Sequence, residues 1–378
     1  MSGYLQRMKE KARAFCGRGD LLVLGIESSC DETACAVLRG KRILSNKIAS
    51  QIEIHKRFGG VVPEIASRNH VLAIDNLVGE ALDEAGVKAE ELDAIGVTYG
   101  AGLLGALLVG ESYAKALAYA LDKPLYAVNH IRGHIAVNYI ASPGLEPPFV
   151  CLIASGGHTA IALAKGYDEM KLLGTTQDDA CGEAFDKVAR VLGLPYPGGP
   201  RIQELAAGGK PVIPLPHPFK GSDTLDFSFS GIKTAVINYA NSVKMKGEEL
   251  PAADLACSFQ ELVTDIMADN LVRAARTYNC NKVVIAGGVG ANIRLRAKVE
   301  ERAKERGLTA FLPPVNMCTD NCARMAAPAR SLRNGGGQSP EFCSHAGENL
   351  AVVAAVRDNR GRTAVALSHI CKKIILFC

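Results

Sequence analysis

The chain has 378 residues, with 43 Lys and Arg against 39 Asp and Glu, and it is 48% hydrophobic but only 6% aromatic, with no Trp. That length exceeds one typical domain and suits two lobes sharing a largely aliphatic interior. A formal charge of +4 is too small to mark a nucleic-acid binder, and no apolar run reaches the roughly 18 residues of a membrane span.

The first twenty residues carry Arg7, Lys9, Lys11, Arg13 and Arg18 against Glu10 and Asp20, which reads as a solvated leader helix; a presequence would be richer in Ser. Leu21 to Leu38, LLVLGIESSCDETACAVL, is an apolar run, a turn of small and polar residues, and a second apolar run. This pattern predicts a β-hairpin whose tip can offer amides and hydroxyls to an anion. Glu64 to Leu82 has helical apolar spacing after a loop punctuated by Gly59, Gly60 and Pro63. A strand over Asp93 to Thr98, the turn Gly100-Ala101-Gly102, a helix over Gly105 to Leu121 and a strand over Pro124 to Val128 complete a first unit.

The second half repeats this order. Phe149 to Ala164, FVCLIASGGHTAIALA, is a second hairpin, followed by a helix at about Asp179 to Leu192. A strand over Lys282 to Ala286, the turn Gly287-Gly288-Val289-Gly290, a helix over Asn292 to Glu305 and a strand over Thr309 to Leu312 close the unit. An internal duplication follows, with two related lobes gripping one phosphate-bearing ligand. Residues 196–249 form an insertion rich in Pro, Gly, Ser and Asp that includes DFSFSGIKT, and a loop of that size is often functional. Beyond Arg333, Gly335-Gly336-Gly337 reads as a linker to a divergent tail. The twelve cysteines lie scattered in apolar contexts, so reduced core thiols are expected; Cys318 and Cys322 lack the second pair of a zinc quartet.

Chemistry concentrates at a few positions. His130-Ile131-Arg132-Gly133-His134 sets two imidazoles four apart, on one helical face, which is metal-ligand spacing. A zinc protease would need Glu directly after the first His to activate water, and Ile131 stands there. Asp320, in CTDN, follows the last strand of the second repeat and is the expected third ligand, with a helix N-cap as the bland alternative. Two imidazoles and a carboxylate suit iron and zinc alike. No Walker loop occurs, so phosphate binding falls to backbone amides at Gly287, Gly288 and Gly290, with Asn292 offering its amide to a ribose or base. In DDACGEAFDK, Gly182 and Asp186 share a helical face, so a carboxylate can approach a ligand where bulk is absent; Gly198-Gly199 forms another close-approach wall.

The motifs LGIESSCDET, HIRGH, ASGGHT, DDACGEAFDK, YPGGP, FSFSGIKT, GGVGAN and CTDN, in this order over about residues 21 to 335, resemble the tRNA threonylcarbamoyladenosine transferase family, in its bacterial or organellar form. The resemblance implies an α/β actin-like ATPase fold (ASKHA, RNase H-like), with two duplicated lobes around a central cleft. Its expected parts are a leader 1–20, a first lobe 21–127 completed by about 322–335, a second lobe 128–321 carrying the insertion, and a tail 336–378. It further implies transfer of a threonylcarbamoyl group from its adenylate, threonylcarbamoyl-AMP, to N6 of the adenosine 3′ of the anticodon in tRNAs reading ANN codons. Carried over by motif, one divalent metal, Fe(2+) or alternatively Zn(2+), is held by His130, His134 and Asp320. The adenylate lies against Ile153, Ala154, Ser155, Gly156, Gly157, Asp186, Gly199 and Asn292, and Glu32 matches an acidic position tied to activity.

The implied partners are tRNA, a TsaB-like paralogue, a TsaE-like ATPase and a TsaC-type enzyme supplying the intermediate, all cytoplasmic and without a membrane. The basic residues Lys41, Arg42, Lys47, Lys56, Arg57 and Arg68 are the expected tRNA contacts of the first lobe. This chain departs from the family pattern in Gly100-Ala101-Gly102, expected to loosen its turn, in Pro328, expected to bend a helix, and in its tail. A metalloprotease, a small-molecule kinase of the same fold and an inactive scaffold are the competing expectations.

Overall fold

The computed structural model describes residues 2–15, 18–167 and 169–318. They form two compact units, one within 2–50 and 63–133, the other within 51–62 and 134–318. Asp320, Cys322, Pro328, the expected completion of the first lobe at 322–335 and the tail 336–378 lie outside the described residues.

The first unit contains α1 (Ser2–Ala14), β1 (Leu22–Glu27), β2 (Glu32–Arg39) and β3 (Arg42–Ser50). After α2 (Ile52–His55), which clusters with the other unit, come α3 (Pro63–Ala85), β4 (Ala94–Gly100), α4 (Leu104–Ala120) and β5 (Leu125–Asn129). The sheet order is β3-β2-β1-β4-β5, antiparallel across the hairpins and parallel from β1 to β5. Every residue of β1 is buried, so the strand reads as an unbroken apolar run because both faces of the sheet are covered. Pro63 opens α3 where its missing N–H costs nothing, and Ala66, His70, Ile74, Leu77, Val78 and Ala81 form the stripe buried on the sheet.

The leader is not a solvated helix. Met8 is 0% exposed and packs in one cluster with Leu22, Leu24, Ile74, Leu77 and Leu92, while Lys11 pairs with Asp122 at 2.6 Å. The basic residues that suggest a free helix instead flank an apolar contact that burial pulls onto the lobe.

The second unit follows α5 (His130–Ala141), the helix at which the two units meet in sequence, with β6 (Phe149–Ala154), β7 (Thr159–Ala164), β8 (Met170–Thr175) and α6 (Cys181–Val191). Then come α7 (Gly198–Ala206), α8 (Ser230–Met245), α9 (Ala252–Thr277), β9 (Lys282–Ala286), α10 (Ile293–Glu305) and β10 (Thr309–Phe311). Its sheet order, β8-β7-β6-β9-β10, repeats the pairing of the first unit strand for strand, so the duplication is real. The insertion expected as loop holds two helices, α7 and α8, on either side of an extended segment. The 26-residue α9 is not among the expected elements; most of its residues are buried where it packs against α7, α10 and β6, so its apolar residues form a band broader than one stripe. Seven cysteines are free thiols among the described residues, and burial pushes those of Cys35, Cys151 and Cys181 well up, out of reach of nucleophilic chemistry at neutral pH.

Candidate functional site

Strand β1 ends in Glu27, a carboxylate only 1% exposed. A buried carboxylate needs partners, and those of Glu27 include the Ser29 amide, donating to Oε1 at 2.6 Å, the Thr98 hydroxyl, donating to Oε2 at 2.9 Å, and His130 Nδ1, 3.1 Å from Oε2. The Ser29 hydroxyl stands 3.0 Å from the same nitrogen. A carboxylate can only accept, so Nδ1 carries a proton, and in the neutral ring Nε2 keeps the lone pair a cation requires. His130 begins α5, and His134 follows one turn later at 1% exposure.

The hairpin tip is thus arranged otherwise than its small residues suggest. The Ser28 hydroxyl donates to the Ala106 carbonyl at 2.9 Å, the Leu103 amide donates to the Ser29 carbonyl at 2.8 Å, and His70 holds Thr33 at 2.7 Å and the Cys30 carbonyl at 2.9 Å. These hydroxyls are committed to α3, α4 and His130, so the first tip orients a histidine where an open anion cradle was expected. The Leu103 bond also ties the Gly100-Ala101-Gly102 turn to the tip. Glu32 is the first residue of β2, partly exposed and opposite Ser50 in the ladder. Glu27 is the residue the sequence reading missed, although a Glu closing the run LLVLGIE carries the signal.

The second tip is open. Ser155 closes the turn through its amide to the His158 carbonyl at 2.8 Å, and Gly156 and Gly157 are exposed, with no atom near the place where a Cβ would stand. Ile153 and Ala154, expected against the adenylate, are 1% and 0% exposed inside β6; any surface offered to a ligand here begins at Ser155. Gly182 does what its position implies. A Cβ there would fall 2.7 Å from the Ser155 carbonyl oxygen, so only glycine lets α6 reach this turn.

Asp186 and Asn292 are both engaged in caps. Asp186 Oδ1 accepts the Gly198 amide at 2.7 Å at the start of α7, which holds the Gly198-Gly199 wall in place. Asn292 Oδ1 accepts the Leu295 amide at 2.9 Å as the N-cap of α10, and its Nδ2 donates to Gln260 Oε1 at 3.0 Å. The glycine loop itself winds into a short 3₁₀ turn, Gly288–Ala291, and α10 begins only after Asn292, so the loop does not open that helix directly.

Two motifs lie fifty residues apart and lock together. Asp178 accepts the Ser228 hydroxyl at 2.5 Å, the Ser230 hydroxyl at 2.7 Å and the Phe229 amide at 2.8 Å, which caps α8 from outside; Asp179 binds Lys187 at 2.9 Å and Lys233 at 2.6 Å. Burial works to raise the Asp178 carboxyl, but these hydroxyl and amide donors prevail and hold it below the usual carboxylate range. A depressed folded value stabilises the fold fully above the ordinary aspartate pKa of about 3.9, and that stabilisation is lost as pH falls through the lower folded value. The urea midpoint of Asp178→Asn is therefore expected below wild type at pH 7, the gap closing as pH drops below about 4. A gap independent of pH would refute the clamp.

Among the described residues no three His, Cys, Asp or Glu side chains gather as a metal set, and the expected third ligand, Asp320, lies outside them. His130 nevertheless fits a cation ligand, because a carboxylate behind the ring is the arrangement that orients a ligating imidazole. The basic patch expected in the first lobe is weaker than its sequence suggests. Lys47 pairs with Glu84, Lys56 with Glu53 and Arg68 with Glu64, and Lys56 and Arg57 belong to the other unit.

A family model described as TsaD, tRNA N6-adenosine threonylcarbamoyltransferase, matches residues 42–327. The tRNA N6-adenosine threonylcarbamoyltransferase of Clostridium botulinum (strain 657 / Type Ba4) is 54% identical over 309 residues, which cover 81% of this chain and 91% of that protein. Its counterpart from Clostridium novyi (strain NT) is 54% identical over 313 residues, covering 82% and 92%. Among solved structures, T. kodakarensis HypF aligns with a TM-score of 0.57 at 15% identity, over 84% of this chain and 48% of that longer one. At that identity the likeness speaks for the fold alone, the duplicated actin-like α/β architecture.

Proposed function

The chain belongs to the tRNA N6-adenosine threonylcarbamoyltransferase family, and from that membership we propose that it transfers the threonylcarbamoyl group of threonylcarbamoyl-AMP to N6 of the adenosine 3′ of the anticodon in tRNAs reading ANN codons. The carrying observation is 54% identity over 91% of a relative bearing this activity in its name. In this reading the N6 amine attacks the carbamoyl carbon, an N–C bond forms, the bond from that carbon to the phosphate oxygen breaks, AMP leaves, and the amine loses a proton. Glu32 is the carboxylate we assign to receive that proton.

An exocyclic amine is a weak nucleophile, so most of the acceleration must come from holding it against the carbonyl. The exposed Gly156 and Gly157, in the turn that Gly182 lets α6 approach, and Gly199 at the α7 start pinned by Asp186 would offer backbone donors to the adenylate, with Asn292 in the same assignment. His130, His134 and Asp320 would hold one divalent metal, Fe(2+) with Zn(2+) as the alternative, which when bound supplies a positive charge for anionic oxygens of the substrate. Glu27 would keep the His130 ring turned toward it.

The same reading places the chain in the cytoplasm with tRNA, a TsaB-like paralogue and a TsaE-like ATPase, downstream of a TsaC-type enzyme. No described helix is long and apolar enough to cross a membrane. The test is nucleoside analysis of tRNA from cells depleted of the chain. Threonylcarbamoyladenosine is expected to disappear on depletion and to return with the wild-type gene; undiminished modification in depleted cells would overturn the assignment.

A further inference from the structure

One face of the second unit gathers cations that belong to none of the recognised motifs. His217, Phe219 and Lys220 from the segment between α7 and α8, Arg273 and Arg276 from α9, and Arg306 beyond α10 line a groove of about 470 Å³. Of the two carboxylates in its wall, one is bonded to neutral donors and the other is paired with a cation. Asp226 accepts the Thr175 amide at 2.9 Å and the Thr224 hydroxyl at 3.0 Å, and Asp269 pairs with Arg302 at 3.1 Å. Arg273 is held by neutral acceptors only, the Ser222 carbonyl at 2.9 Å, the Thr224 carbonyl and the Asn270 amide oxygen at 2.7 Å, and its buried Nε has no partner among the described residues. Lys220, Arg276 and Arg306 make no ion pair or side-chain hydrogen bond with any described residue. The groove therefore keeps a net positive charge, with Lys220, Arg273, Arg276 and Arg306 set against the Asp226 carboxylate.

Phe219 adds a second, independent feature. Its ring is 43% exposed, and its backbone has φ of 54°, a left-handed conformation that bulky L residues rarely adopt. The fold thus spends backbone strain and leaves an aromatic face in water beside four Lys and Arg. A simple phosphate site has no use for the ring. An exposed ring between cations is the combination that takes an unpaired nucleotide strand, the base stacking on the aromatic face and the flanking phosphates meeting the cations.

We propose that this groove binds an unpaired stretch of the tRNA, with a base on Phe219 and adjacent phosphates at Lys220, Arg276 and Arg306. The proposal rests on the reading of tRNA as substrate and adds a contact surface to it. A segment of acidic protein would meet the same charges but leave the ring unexplained, so it becomes an outcome of the test.

Binding of the full chain to a tRNA transcript would be measured over a range of salt for wild type, Arg276→Ala/Arg306→Ala, Lys220→Ala and Phe219→Ala. Losing two phosphate contacts to single-stranded RNA should reduce the slope of log K against log salt by about 1.4 in magnitude and raise Kd by at least about tenfold. Phe219→Ala should raise Kd by about tenfold, whereas Phe219→Trp retains wild-type binding. Lys220→Ala should weaken tRNA binding and flatten the salt slope by about half as much as the double variant. Thermal midpoints and threonylcarbamoyl-AMP affinity should stay at wild type in all of them, and poly(U) should compete with tRNA.

Unchanged Kd and salt slope in both the double variant and Phe219→Ala would overturn the proposal, as would competition by polyglutamate but not by poly(U). The two readings fail differently. Modification of tRNA by the wild type and by every variant with one and the same KM refutes the groove alone. A chain that binds tRNA through the groove yet never modifies it refutes the transfer reaction.

Discussion

Replacing His130 with alanine is expected to leave a folded protein with background metal and no measurable transfer to tRNA. The ring is 6% exposed, begins α5 and is aimed by a carboxylate 3.1 Å from Nδ1, so neither water nor a neighbouring side chain can take its place. Part of the effect is on the fold: Glu27 would keep the Ser29 amide and the Thr98 hydroxyl but lose its imidazole, a stability cost of about 1–3 kcal/mol. Glu27→Gln separates the two contributions. It preserves size and burial but replaces the carboxylate behind the ring with an amide, and metal affinity is expected to fall about 10- to 100-fold with the fold intact. Elemental analysis of reconstituted protein, with circular dichroism for the fold, measures both variants, and analysis of the wild type distinguishes iron from zinc. Stoichiometric metal in His130→Ala would remove this histidine from the ligand set.

Gly287→Ala is expected to cost the largest stability of any single-methyl addition near the proposed adenylate site, about 2–6 kcal/mol. Two penalties combine there. The residue has φ of 91°, outside the range of L side chains, and an added Cβ would press on the Ala154 carbonyl oxygen inside van der Waals contact. Ala154 is the last residue of β6, which pairs in parallel with β9, so neither backbone can yield without breaking the ladder at the centre of the sheet. Urea unfolding measures the loss, and a midpoint near that of wild type would show that the turn can relax. Transfer activity should fall with it, because the displaced strand end carries the Ser155–Gly157 turn.

The elements written in local pattern are the ones recognisable without coordinates. LLVLGIE and FVCLIA are continuous apolar runs because β1 and β6 lie at the centres of their sheets, and the small residues after each announce a hairpin. The same holds for the strand Lys282–Ala286 and for α10, whose N-cap Asn292 and apolar spacing are contiguous signals. Repetition of this order in the two halves gave away the duplication, and the short motifs gave away the family. The leader, the insertion helices and α9 were hidden for a common reason: their burial comes from partners distant in the chain. Met8 joins the core cluster that holds Leu24 and Leu77, and α9 packs against α7, α10 and β6.

Residue types, in the same way, name candidates without assigning their duties. HIRGH displays its imidazole pair in five letters, but Glu27 becomes the partner of His130 only when β1 and the start of α5 are folded together, 103 residues apart in sequence. Asp186 and Asn292 could have pointed at a ligand by spacing alone; the fold turns one to the α7 start and the other to its own helix and Gln260. Charge behaves alike. The cations that cluster in sequence near the first hairpin are largely paired, whereas Lys220, Arg276 and Arg306, spread over a long stretch of chain, converge on one groove. Backbone propensity and hydrophobic period act over a few residues and can be read along the chain, but hydrogen-bond partnership and net local charge depend on distances that exist only after the chain has folded.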